Sequence, residues 1–155
     1  MDRRRALARG FTLLELMVVL VIASLLFAAA APRASDRDQC GSAARTFVAD
    51  AARARSYAVR TWEPVTLDVD EPNGTWRVTR ANGTWLDGPG ADENGWRTLG
   101  VGLSFALVDD FSPDAVFLPN GRTSGESRVQ LVSGNASWLL KVESLTGRIT
   151  AEPQD

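Results

Sequence analysis

The order of apolar and polar positions divides the 155-residue chain into three stretches with different periods. From Phe11 to Ala31 the sequence is apolar except at Thr12, Glu15 and Ser24. At ~1.5 Å per residue such a run reaches about 30 Å as a helix, the thickness of a bilayer core. Pro32 closes it, because proline removes a backbone donor and bends a helix axis. A helical period then follows: Phe47, Ala51, Ala54 and Ala58 form one apolar stripe, with Val48, Ala52, Arg55 and Val59 beside it. Arg45, Asp50, Arg53 and Arg60 fall mostly outside the stripe. The pattern predicts one helix from about Phe11 to Thr61, about 75 Å long if continuous. Gly41 weakens it locally and is the expected place for a bend.

After Pro64 the period changes to two. Val65, Leu67 and Val69 alternate with Thr66 and Asp68, and Trp76 and Val78 with Arg77 and Thr79, so residues 65–80 read as a hairpin turning through Glu71-Pro72-Asn73-Gly74. Residues 81–95 are rich in Gly, Asn, Asp and Pro and read as an exposed loop. Further strands are predicted at 96–99, 103–108, 115–118, 127–132, 137–144 and 148–151, with Leu103, Phe105 and Leu107 sharing a face, as do Val129 and Leu131, and Trp138, Leu140 and Val142. The expected fold class is α+β: a long N-terminal helix, transmembrane in its first half and amphipathic in its second, packed on a C-terminal antiparallel sheet or sandwich.

Charge sharpens the reading of the N-terminus. Residues 1–10 hold four arginines (3, 4, 5 and 9) against Asp2, a surplus of three positive charges, which leaves the other 145 residues at −5. By the positive-inside rule this end stays in the cytoplasm. The acidic remainder disfavours nucleic-acid binding through a broad basic face. The chain has no histidine and one cysteine, Cys40, so an internal disulfide is impossible; a small buried residue or an intermolecular bridge are the two readings of that thiol. No nucleophile–base arrangement and no phosphate-cradling glycine loop presents itself, and Gly100-Val101-Gly102 is too short for a nucleotide fingerprint. The expected protein is not an enzyme and needs no cofactor or metal.

Glu15 is the anomaly. A carboxylate inside a transmembrane segment costs roughly 2.5–3.5 kcal/mol even on lenient insertion scales and marks a functional residue. Neither a plain anchor nor a secretory signal peptide cut near Ala28-Ala29-Ala30-Ala31 explains it. The stretch Arg9-Gly10-Phe11-Thr12-Leu13-Leu14-Glu15 resembles the processing motif of type IV prepilins and type II secretion pseudopilins. The resemblance implies cleavage between Gly10 and Phe11 by a prepilin peptidase, N-methylation of Phe11 by the same enzyme, and an apolar segment retained on the mature chain. It also implies that Glu15 serves subunit assembly by pairing with the Phe11 amine of a neighbour, which offsets part of the cost of each charge in lipid.

The C-terminal third carries a second resemblance. Phe117-Leu118-Pro119-Asn120-Gly121-Arg122, the turn through Gly125, the strand at Val129–Leu131 and Thr146-Gly147-Arg148-Ile149 are similar to the end of the GspH/FimT family of minor pseudopilins, a pilin-like fold. Asn120 stands where that family prefers aspartate, and the loop 81–95 has no counterpart. Major pseudopilins carry a calcium loop near the C-terminus; here that region offers only Glu143, Glu152 and terminal Asp155, which suits a minor subunit. Asp87, Asp92, Glu93 and Asn94 form the denser acidic cluster and read as solvated loop.

The resemblances imply a leader at 1–10, a transmembrane and filament-core helix at 11–31, an amphipathic helix continuing into the periplasm at 32–62, and a β-rich periplasmic domain at 63–155. The chain is then expected in the bacterial inner membrane, in a type II secretion pseudopilus near its tip, where it helps export folded proteins across the outer membrane. Expected partners are other pseudopilins, the prepilin peptidase/N-methyltransferase, and secreted cargo. A FimT-like minor pilin of a type IV pilus, contacting DNA through Arg122, Arg128, Lys141 and Arg148, is the alternative. Of the five tryptophans, Trp76 and Trp138 belong to strand patterns and are expected in the core. Trp85 and Trp96 flank the loop and, with Arg122 and Arg148, are the expected partner contacts.

Overall fold

The computed structural model of the chain describes residues 13–30, the last four as main chain only, and residues 35–154. Gly10, Phe11 and Pro32 lie outside the described residues. Two units result, with α1 (Leu13–Ala30) in the first and everything from Ala34 in the second.

Apart from Glu15 and Ser24, helix α1 is built of apolar residues and has no polar face. Its one mid-helix hydroxyl, Ser24, donates to the Leu20 carbonyl at 2.7 Å. Among the described residues, no helix is long and apolar enough to cross a membrane. The 21-residue apolar run of the sequence extends past α1 at both ends.

The expected single helix is not continuous. Ser35 is extended (φ −69°, ψ 155°) and caps a new helix, α2 (Asp36–Thr61): its Oγ accepts from the Asp38 amide at 3.2 Å and donates to the Asp38 carboxylate at 2.7 Å. This reciprocal cap satisfies a first-turn donor and places two acids at the positive helix end. Helical period alone does not reveal it; the signal is the Ser35-x-x-Asp38 spacing with acids in the first turn, which period does not weigh.

Eight strands follow: β1 (Val65–Asp70), β2 (Thr75–Arg80), β3 (Arg97–Thr98), β4 (Ser104–Leu107), β5 (Ala115–Phe117), β6 (Ser127–Ser133), β7 (Ala136–Val142) and β8 (Ile149–Gln154). They form two antiparallel four-stranded sheets, ordered β3-β2-β1-β5 and β4-β6-β7-β8. In the first, Val65 faces Arg80 and Leu67 faces Val78, so each buried position of β1 and β2 shares one face. In the second, β6 alternates without a fault: Ser127, Val129, Leu131 and Ser133 are buried. Helix α2 packs on strands of both sheets.

The apolar stripe Phe47, Ala51, Ala54 and Ala58 is buried, and alanines there let sheet residues approach the helix closely. Phe47, Trp76 and Phe105 bring α2 and the two sheets to one point, with ring centroids 5.9–6.1 Å apart in tilted and edge-on contacts. Gly41 marks no helix end. It lies buried within α2 against Trp138, whose Cζ2 would stand 3.2 Å from an added Cβ, so the glycine makes room for an indole. Trp138 is half-buried rather than fully enclosed. Leu107 departs from its expected face: at the end of edge strand β4 it is 58% exposed. Cys40 is fully buried with Sγ 3.7 Å from the Ala136 carbonyl, which closes it to an intermolecular bridge in this fold. Burial, and then the Asp36 charge, push its thiol pKa up.

Candidate assembly surface

Two turns and the C-terminal half of α2 build one corner of the folded unit. In the first turn, residues 118–122, the Gly121 amide donates to the Leu118 carbonyl (2.9 Å) and the Arg122 amide to Asn120 Oδ1 (3.0 Å). Asn120 thus serves the turn through its own side chain. In the second, residues 143–148, the Gly147 amide donates to the Glu143 carbonyl (2.9 Å), and Thr146 Oγ1 donates to the Glu143 carboxylate (3.0 Å) while accepting from the Arg148 amide (3.1 Å). The Thr123 amide donates to the Ser144 carbonyl at 3.0 Å and holds the two turns side by side.

Arg55 clasps both. Its Nε donates to the Gly121 carbonyl at 2.9 Å and its Nη2 to the Thr146 carbonyl at 3.0 Å. The fork geometry of a guanidinium suits two converging carbonyls. Gly147 is required twice over: φ is +60°, and an added Cβ would overlap the Gly121 carbonyl. Gly147→Ala is therefore expected to destabilise the unit by about 1–3 kcal/mol, the range for non-glycine residues forced into this backbone region. Urea denaturation of the purified protein measures it, and an unchanged midpoint would show that the clasp can open freely.

Arg122, Arg148, Leu145, Val59 and Trp62 are exposed on the residues that build this corner. Trp62 ends α2 in the left-handed region (φ 59°) and is 78% exposed. Glycine usually occupies that helix-end conformation. Among the described residues, neither Arg122 nor Arg148 forms an ion pair. The four basic candidates therefore separate. Arg122 and Arg148 stand on adjoining turns, whereas Arg128 and Lys141 share the Glu126 carboxylate and Arg128 also stacks on Phe111 at 3.9 Å. The hydrogen bond from Arg128 is the main cause that lowers the Glu126 pKa.

The loop 81–95 is tied down rather than free. Leu86 is buried, its amide donating to the Val78 carbonyl at 2.8 Å, and Trp85 lies against Gly95, where a Cβ would collide with the indole. Trp96 is covered by the Arg77 guanidinium, 4.3 Å from the ring centroid, and its amide donates to Asp92 Oδ1 at 2.8 Å. Both tryptophans are half-buried. Asp92 is thus a turn residue, consistent with the solvated-loop reading of the acidic cluster.

Asp50, expected mostly outside the stripe, is 5% exposed. It accepts from Trp76 Nε1 (3.0 Å) and pairs with Arg97 Nε (2.9 Å) and Arg53 Nη2 (3.3 Å). Arg53 Nη1 goes on to the Asp87 carbonyl at 2.9 Å, so helix, sheet and loop meet at one carboxylate. Three partners explain why the charge tolerates burial. Asp50 has one local partner, Arg53 three residues on, but its Trp76 contact and both contacts of Arg55 lie 26–91 residues away and leave no local signal. Glu15 lies in the first turn of α1, with its side chain exposed.

Comparison with known proteins follows the same two units. The prokaryotic N-terminal methylation motif matches residues 5–31, and the type II transport protein GspH family matches residues 43–146. No curated protein sequence matches the chain. Among solved structures, the minor pseudopilin EpsH from the type 2 secretion system of Vibrio cholerae superposes with a TM-score of 0.59 at 13% identity, covering 75% of this chain and 98% of that one. The type IV minor pilin FimU of Pseudomonas aeruginosa superposes with a TM-score of 0.54 at 21% identity, covering 76% and 90%. At these identities the two structures establish a shared fold. The family match extends from α2 to the turn that Arg55 clasps, and the chain belongs to the GspH family of minor pseudopilins and pilins.

Proposed function

We propose that the chain is a minor pseudopilin of a type II secretion system, a structural subunit near the tip of a periplasmic pseudopilus that helps export folded proteins across the outer membrane. The observation that carries this reading is the presence in one chain of the N-terminal methylation motif and the GspH match. Residues 1–10 form the leader, removed between Gly10 and Phe11 by the prepilin peptidase, which then methylates the Phe11 amine. Residues 11–31 anchor the protein in the inner membrane and later lie in the filament core, where Glu15 meets the amine of a neighbouring pseudopilin. The amphipathic helix α2 and the β-rich residues that follow it form the periplasmic domain. The clasped corner with Arg122, Arg148, Leu145 and Trp62 faces other tip subunits or secreted cargo, with Trp85 and Trp96 as further contacts. No catalytic step and no cofactor enter this role.

Intact mass and N-terminal sequencing of the membrane-extracted protein test the membrane end. The expected chain begins at N-methylated Phe11 and reverts to the Met1 start when the peptidase is absent. A chain cut near Ala31 would mean a secreted domain instead.

The adjoining Arg122 and Arg148 favour one competing reading, a FimT-like minor pilin that contacts DNA phosphates. It requires salt-dependent DNA binding by the wild-type protein that is lost in an Arg122/Arg148 double alanine variant. Absence of binding by the wild type rules it out.

A further inference from the structure

The Asp50 node holds more positive charge than its carboxylate can neutralise. A groove of about 490 Å³ runs beside α2, lined by Arg45, Thr46, Asp50, Arg53, Arg97 and Pro89 among others. Its charged lining residues are three arginines and one carboxylate, a surplus of two positive charges. Trp76, Arg97 and Arg53 already occupy three of the roughly four acceptor positions of that carboxylate. Arg97 is held with a side chain only 12% exposed, so its charge cannot be fully solvated. Arg53 Nε is buried without a hydrogen-bond partner, and among the described residues Arg45 forms no ion pair.

Asp50 holds Arg53 and Arg97 in place. Arg45, Ala49 and Arg53 fall on one helical row at i, i+4 and i+8, with alanine as a low floor between two cations. Across the groove, Gly88 has no Cβ, and one placed there would stand 2.5 Å from both Arg53 Nη1 and Arg97 Nη2. The bare glycine lets both guanidinium groups rest against the loop. Paired guanidiniums with unused donors are suited to the planar oxygens of a carboxylate.

We infer that this groove is a docking site for an acidic segment of another protein, which places one or two Asp or Glu carboxylates between Arg45, Arg53 and Arg97. Charge decides the class of partner. The neighbouring loop exposes Asp87, Asp92 and Glu93, and Asp38 is exposed near the start of α2. These surroundings repel a continuous polyanion such as nucleic acid but leave room for an isolated carboxylate pair. The inference concerns the folded unit and does not depend on which filament the chain joins.

The test uses the full chain in detergent micelles, with ¹⁵N spectra of the arginine Nε–H groups during titration with a peptide that carries one Glu-Glu pair among neutral residues. The Arg53 and Arg97 signals are expected to shift saturably. Arg45→Ala, an exposed position outside the Asp50 pairs, is expected to raise the peptide Kd at least about tenfold, one lost charge-assisted contact at ~1.4 kcal/mol. Arg122→Ala is expected to leave it unchanged. No shift at Arg53 and Arg97, or an equal Kd for Arg45→Ala and wild type, overturns the site. So does tighter saturation of the same signals by inorganic phosphate or by a single-stranded dodecanucleotide, which would reassign the groove to phosphate groups.

Discussion

Asp50→Ala is expected to lower the unfolding free energy of the folded unit by about 3–5 kcal/mol, the range for removing one partner of a buried ion pair. The substitution strands Arg97, whose side chain is nearly enclosed, and leaves the Trp76 indole N–H without its acceptor. It also frees Arg53, which pins the 81–95 loop through the Asp87 carbonyl. A midpoint drop on the order of 10 °C should accompany it. Asp50→Asn retains an acceptor for Trp76 and removes only the charge, so its loss should be smaller. Paired thermal and urea melts of the full chain separate the two. A loss below about 1 kcal/mol for the alanine variant would mean that water enters the node and solvates both arginines.

Glu15→Leu should leave that melt untouched, because Glu15 belongs to the other unit, yet cut incorporation into the filament at least about tenfold. The proposed pairing with a neighbour's Phe11 amine lowers the cost of two charges in lipid at one axial stagger only. Leucine makes the helix easier to insert and removes the preference for that stagger. Co-purification of the variant with other pseudopilins, crosslinked in membranes, measures the effect. Recovery at the wild-type level would sink the register role, whereas loss of membrane insertion would point to a fault before assembly.

Much of the fold is written in periods. The alternation of Val65, Leu67, Trp76 and Val78 placed the hairpin, and the spacing of Phe47, Ala51, Ala54 and Ala58 placed the buried stripe of α2. Asp50 departs from its period, because a period sorts residues by type. Its burial depends on Trp76 and Arg97, which only the fold brings near. Leu107 failed the other way: alternation gives a face, but not whether an edge strand still has a neighbour there. The assembly corner was half legible. Pro119-Asn120-Gly121 and Thr146-Gly147 announce turns, whereas Arg55 binds main-chain carbonyls, which carry no sequence signature. Ser35 is announced by Asp38 three residues on, a capping signal that a reading by apolar period passes over.

Because α2 packs on strands of both sheets, its attachment has a mechanical meaning. A pull along its axis cannot peel one sheet from the other strand by strand. It must slide the whole buried stripe past both sheets together, and the Arg55 clasp and the Asp50 node resist that sliding as two transverse pins. Loaded in shear, many contacts yield at once instead of in sequence.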